Sequence, residues 1–192
     1  MPRKADKRLE GRIIDAAYQL WRKGGEHTLT MRAVARAAGT TTPTLYERFQ
    51  DKHDLIEFLR DRARQRIFKA VQGGKTTLEV CRLGLQFTLL HGNEYLLFSA
   101  DWGERLGRNV PMPSYELLKE KLAQDLGGSP EEHGQLALAL ILQLHGTGMV
   151  LQTKGVKREV SERLQELSLD TCKTLIESAR RSRDRKATDA SL

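Results

Sequence analysis

At 192 residues, with 39% apolar and 30% charged residues, the chain can form one large or two small globular domains and is too apolar to be disordered. Its net charge is +7, and its only cysteines, Cys81 and Cys172, are too few and too scattered for a disulfide framework or a metal site and suit a reducing compartment. The longest apolar run, Leu136 to Leu142, is far short of the ~20 residues of a membrane-spanning helix, and Met1 to Arg12 has no apolar signal segment, so a cytoplasmic protein without a membrane partner is expected.

Pro2 to Arg12 holds Arg3, Lys4, Lys7, Arg8 and Arg12. It reads equally as an arm reaching DNA backbone or minor groove and as a frayed, solubilising terminus. A first helix is predicted from about Asp6 to Lys23. Leu9, Ile13, Ala16, Ala17 and Leu20 recur at helical spacing, with Ile14, Tyr18 and Trp21 widening the stripe. Gly24-Gly25 stops it.

Leu29 to Phe49 reads as two short helices joined by a tight turn. Thr30 caps the first, Met31 to Ala38, and Gly39 ends it with a positive φ. Thr41 or Thr42 caps the second, and Pro43 sits in its first turn. Ala35, Gly39 and Leu45 have the spacing of a helix-turn-helix, in which the second helix enters the DNA major groove. Leu45 and Phe49 should face inward. The basic excess coincides with this stretch: residues 1–52 carry 11 Lys/Arg against 6 Asp/Glu, whereas 111–192 carry 12 against 12.

The run Leu29-Thr30-x-Arg32-x-x-Ala35, followed by Gly39-Thr40-Thr41-x-Pro43-Thr44-Leu45-Tyr46-x-x-Phe49-x-Asp51-Lys52-x-x-Leu55, resembles the DNA-binding domain of tetracycline-repressor (TetR) family regulators. The resemblance covers the first quarter to third of the chain. It implies an all-α homodimer, with a helix-turn-helix domain over 1–52 and a helical ligand-binding and dimerisation domain over 53–183. It also implies a connecting helix, 53–72, between them; residues 184–192 read as a flexible tail. It places Thr42, Pro43, Thr44, Tyr46 and Arg48 at positions that contact DNA, with Thr41 beside them and Arg32 reaching DNA from the preceding helix. Chemistry agrees for several. Arg48 can bond guanine O6/N7 or a phosphate, Thr44 a phosphate or a thymine methyl, and Tyr46 a phosphate. Glu47 should pair with Arg48 or point away. Asp51 caps the next helix, whose first residue, Lys52, adds a point charge to a helix N-terminus and makes a phosphate clamp.

That helix runs to about Gln72 on a stripe of Leu55, Leu59, Ala63, Ile67 and Val71. Gly73-Gly74 ends it. Further helices are predicted over 75–91, 94–106, 114–126, about 129–153, and 159–183. The segment Leu136 to Leu144 is apolar on nearly all sides, so its helix should be central and buried. The last two long helices should pair with their symmetry mates. Phe87, His91, Tyr95, Phe98, Trp102, Tyr115 and His145 are candidate contacts for a small, mostly apolar effector.

The five histidines lack metal-ligand spacing, and no nucleophile elbow, phosphate loop or dinucleotide fingerprint occurs; no enzyme activity, metal or cofactor is expected. A ligand-responsive regulator, most simply a repressor of a palindromic operator, is the leading reading. The alternative is a DNA-binding regulator controlled by a protein partner.

Overall fold

The computed structural model describes residues 7–108, 110, 112–153 and 155–189, so Arg3 and Lys4 of the expected arm lie outside the described residues. These residues form helices α1 (Lys7–Gly24), α2 (Met31–Ala37), α3 (Thr42–Tyr46), α4 (Lys52–Val71), α5 (Thr77–Leu90), α6 (Gly92–Ser99), α7 (Trp102–Gly107), α8 (Pro113–Leu126), α9 (Gly134–Leu151) and α10 (Arg158–Asp189), with no strand among them. The fold is all-α. The chain gathers into two compact units, Met1–Arg66 with His91–Trp102, and Ile67–Leu90 with Gly103–Leu192.

In the first unit, Ile13, Ala17 and Tyr18 of α1 close over Val34 and Ala35 of α2, Leu45 of α3 and Leu55 and Leu59 of α4, all buried. Trp21 is core, as expected. The unit also takes in α6, far along the chain, and does so through polar contacts. The Glu94 carboxylate is only 1% exposed, yet it accepts a bond from the Tyr18 hydroxyl at 2.6 Å and pairs with Arg22 Nε at 2.5 Å and Arg66 Nε at 3.0 Å. Burial, then the bond to Glu94, pushes the Tyr18 phenol well above its ordinary value. Trp21 Nε1 donates to the Asn93 carbonyl at 2.7 Å, and Asn93 Nδ2 donates to the Arg22 carbonyl at 3.0 Å. The N-terminus of α6 is thereby clasped to the C-terminal turns of α1.

One expected helix, 94–106, is two. The break falls between Ser99 and Trp102, where Asp101 pairs with Arg64 of α4.

In the second unit, α9 packs on α5, α8 and α10. Its start is a capping box in which Glu132 Oε1 accepts from Ser129 N at 3.0 Å, but the first turn, Pro130–His133, is 3-10 rather than α. Glycines at φ +79° and +81°, Gly127 and Gly128, turn the chain out of α8. The last helix runs on to Asp189, so residues 184–189, expected as a flexible tail, are helical. Arg180 Nη2 donates to the Asp125 carbonyl at 3.2 Å and Arg183 pairs with Glu132 at 2.9 Å, which anchors the preceding turns of α10.

One expectation is corrected here. The helix over 136–144 is central but not buried all round: Leu142 is 53% exposed and Met149 and Val150 of the same helix are exposed too. Its 18 residues contain no Asp, Glu, Lys or Arg, and the outward stripe Ala139, Leu142, Gly146, Met149, Val150 is uncharged. Pro130–Leu151 is long and apolar enough to cross a membrane by length and composition, with mean hydropathy 1.4. Cys81 and Cys172 are free and buried, on α5 and α10.

His145 of α9 is half-buried, and desolvation holds its pKa below the ordinary 6.5. The unfolded chain binds that proton more readily. Stability from this group is therefore present above about pH 6.5 and is lost as pH falls from there toward the folded pKa. The thermal midpoint should drop on acidification through this window, and less steeply in His145→Asn. Parallel curves for the two proteins would show that another group is responsible.

Candidate nucleic-acid interface

The helix-turn-helix is built by local chemistry. Thr30 Oγ1 accepts from Ala33 N at 3.1 Å and fixes the start of α2. Gly39 takes φ +64°, a left-handed turn that a side chain would strain. Thr41 Oγ1 then accepts from Thr44 N at 3.3 Å and lies 2.9 Å from Thr44 Oγ1, so Thr41 caps α3. Leu45 and Phe49, i and i+4, are fully buried; Phe49 meets Phe58 edge-on with ring centroids 5.3 Å apart. With that face packed, the opposite face of α3 is left outward. Pro43, Thr41, Tyr46 and Glu47 are exposed, Thr42 and Thr44 partly so, and Arg32 stands exposed on α2.

Arg48 is not outward. It is 17% exposed, its Nη1 donates to the Thr44 carbonyl at 3.2 Å, and Glu47 Oε2 lies 3.9 Å away. In this conformation the guanidinium braces the C-terminal end of α3. A contact to guanine would require it to leave that carbonyl. The pairing of Glu47 with Arg48 is as the sequence suggested.

The start of α4 is more occupied than a bare helix N-terminus. Asp51 Oδ1 accepts from Asp54 N at 2.9 Å, capping the helix, and Asp54 Oδ2 accepts from Gln50 N at 3.1 Å, which ties the preceding residue to the first turn. Lys52 Nζ is bonded to Glu26 Oε1 at 3.0 Å. A phosphate at this helix end would meet the first-turn amides of Lys52 and His53 and would compete with Glu26 for the ammonium. Glu26 is the residue that sequence reasoning missed. It lies in the short 3-10 turn after α1, and no local spacing signals its partner 26 residues on.

The effector candidates divide between the units. His91, Tyr95, Phe98 and Trp102 belong to the first; Phe87, Tyr115 and His145 belong to the second. Tyr95, Phe98 and Trp102 make a ladder, with centroids 6.1 Å and 5.5 Å apart, and burial raises the Tyr95 phenol. His91 Nδ1 is 3.8 Å from Glu94 Oε1. Tyr115 donates to the Gly134 carbonyl at 3.2 Å. Among the described residues no group of three or more His, Cys, Asp and Glu side chains could hold a metal ion.

Residues 13–59 match the family described as bacterial regulatory proteins, tetR family. No curated protein matches the chain. Among solved structures, a protein of unknown function from Rhodococcus sp. RHA1 shares 16% identity at a TM-score of 0.66, with 93% of this chain and 98% of that one covered. The transcriptional regulator SCO7222, a TetR from Streptomyces coelicolor, shares 18% identity at a TM-score of 0.64, covering 88% of this chain and 96% of that one. A TetR-like transcriptional regulator from Rhodococcus sp. RHA1 shares 19% at 0.53, over 88% of this chain and 96% of that one.

Proposed function

We propose that this chain, a transcriptional regulator with the DNA-binding domain of the TetR family, is a cytoplasmic repressor that holds a palindromic operator as a dimer and releases it on binding a small, mostly apolar effector. The observation that carries the DNA part is the outward face of α3: a buried Leu45/Phe49 side locks the helix, and Thr42, Pro43, Thr44 and Tyr46 stand on the other side, flanked by Arg32 and Lys52. A five-residue helix reads few base pairs, so useful specificity calls for two copies on two half-sites. The uncharged stripe of α9, with Val160 and Leu167 exposed on α10, supplies a face for the second copy. This reading accounts for the exposed apolar surface of α9 without a membrane, since α9 already packs on three helices of its own unit.

Lys52 gives the direct test. Lys52→Ala should weaken binding similarly across sequences and lower the slope of log K against log[salt] by about one, because one phosphate contact is gone. Glu26→Gln should do the opposite, strengthening binding by roughly 0.2–1 kcal/mol as the surface pair that holds Lys52 is removed. Fluorescence anisotropy on a selected operator at several salt concentrations reads both. An unchanged slope for Lys52→Ala would remove the clamp from the interface.

For the effector, Phe87, Tyr115 and His145 in the second unit, or His91, Tyr95, Phe98 and Trp102 in the first, offer apolar side chains with a few polar handles. A ligand acts only if it prefers the DNA-free form, and the coupling, about 1–3 kcal/mol, must be reciprocal. Hits from a thermal-shift screen of small hydrophobic compounds should bind more weakly by calorimetry when operator is present. Hits indifferent to operator would favour control by a protein partner.

A further inference from the structure

Three helices of the second unit, α5, α8 and α10, pack on one another and leave a cleft of about 200 Å³ where α5 begins and α8 ends. It is lined by Leu78 of α5, Asp125 of α8, and Lys173, Ile176, Glu177 and Arg180 of α10. The α10 residues stand at i, i+3, i+4 and i+7, one face of the helix. Ile176 is buried and Leu78 half-buried, so they give the cleft an apolar wall. Around that wall stand four charges that cancel: Lys173 and Arg180 are cationic, Asp125 and Glu177 anionic. The lining includes none of the aromatic and histidine candidates for the effector.

The chain's own bonds use these charges only in part. Lys173 Nζ meets Glu177 Oε1 at 4.0 Å with both side chains well exposed, a pairing worth little in water. Arg180 gives Nη2 to the Asp125 main-chain carbonyl at 3.2 Å, and its other guanidinium N–H groups have no partner among the described residues. Asp125 Oδ2 accepts from Thr77 N at 2.7 Å, while its Oδ1 has none among them either. Thr77 follows Thr76, which also lines the cleft, and precedes Leu78. It is fully buried, and its hydroxyl has no hydrogen-bond partner among the described residues. A buried polar group left open beside a cleft marks a place that the chain does not complete by itself.

We propose that this cleft binds a small apolar zwitterion, the chemistry of a free α-amino acid with an apolar side chain. The carboxylate would meet Lys173 and Arg180, the ammonium Asp125 and Glu177, and the side chain Leu78 and Ile176. The charge pattern selects that class. A simple anion is drawn by two groups and repelled by two, and a simple cation likewise, whereas a molecule with both charges finds an opposite partner for each. The volume lies below the ~300–1,000 Å³ of drug-sized sites, which suits a ligand of this size. The site is separate from the operator face and from the effector candidates, and it stands whether or not either of those readings holds.

The test titrates the full-length, methyl-labelled protein with leucine, methionine and phenylalanine and follows methyl resonances by NMR. At least one of the three should give saturable shifts centred on Leu78 and Ile176. The tightest of them is then compared with its counterparts lacking the ammonium or the carboxylate, isocaproate and isoamylamine in the case of leucine. Each counterpart should bind roughly tenfold more weakly or worse, because one pair of charged partners goes unused. Lys173→Gln and Glu177→Gln alter exposed side chains, so the fold should hold, and each should weaken the amino acid by roughly three- to tenfold. No saturable shift with any of the three, shifts centred on other methyls, counterparts that bind as tightly as the amino acid, or unchanged affinity in both variants would each overturn the proposal.

Discussion

A Leu142→Glu, Leu167→Glu variant is expected to sediment as a monomer and to bind operator roughly 100-fold more weakly or worse, a loss of about 2.7 kcal/mol or more. Both side chains are exposed in the single chain, at 53% and 60%, so the substitutions place carboxylates in water and leave each chain's own core alone. In an α9/α10 dimer the same carboxylates would be buried opposite their symmetry copies, unpaired, at a cost of several kcal/mol each. The fold should survive, with an unchanged circular dichroism spectrum. Loss of dimerisation would then carry the loss of DNA affinity, since each half-site would bind alone. A variant that still sediments as a dimer would place the interface on other surfaces.

The second large effect belongs to Glu94. Glu94→Ala should destabilise the first unit by about 2–4 kcal/mol, read by denaturant unfolding. Breaking a buried ion pair costs roughly 3–5 kcal/mol, and the lower figure allows for Arg22 and Arg66, each about a third exposed and able to rehydrate. The Tyr18 hydroxyl, whose acceptor is Glu94, would be left buried without it. Tyr18→Phe should cost only about 1 kcal/mol, because the carboxylate keeps its arginines. A Glu94→Ala protein as stable as the parent would mean that the α6–α1 contacts through Trp21 and Asn93 hold the unit by themselves.

What the sequence disclosed was whatever chemistry acts within a few residues. Thr30, Gly39, Thr41 and Asp51 announce their caps and turns because each bonds or bends the backbone two or three positions away. Leu45 and Phe49 announce a buried face because i and i+4 share one side of a helix. The apolar composition of α9 was equally plain, but composition cannot separate burial against the same chain from burial against another, and the exposed Leu142 lies on that ambiguity. Arg48 was read from its type and from the family resemblance; its bond to the Thr44 carbonyl is a rotamer choice that neither encodes. Glu94 was out of reach. Its partner Tyr18 is 76 residues upstream, and a single Glu in an apolar stretch carries no mark of the arginines that neutralise it.

The clasp between α1 and α6 also bears on how the protein is made. Synthesis is vectorial, and the helix-turn-helix leaves the ribosome well before Glu94 and Asn93 do. Until then the Trp21 indole N–H and the Tyr18 hydroxyl lack the acceptors that α6 provides. The contacts that complete the DNA-binding unit therefore close long loops, and they form late. A nascent chain stopped near Gly73 holds the whole recognition motif but not the segment that finishes its packing. A fragment cut there to isolate the DNA reader would carry the same gap permanently, and would be the wrong object on which to measure the affinity of the whole chain.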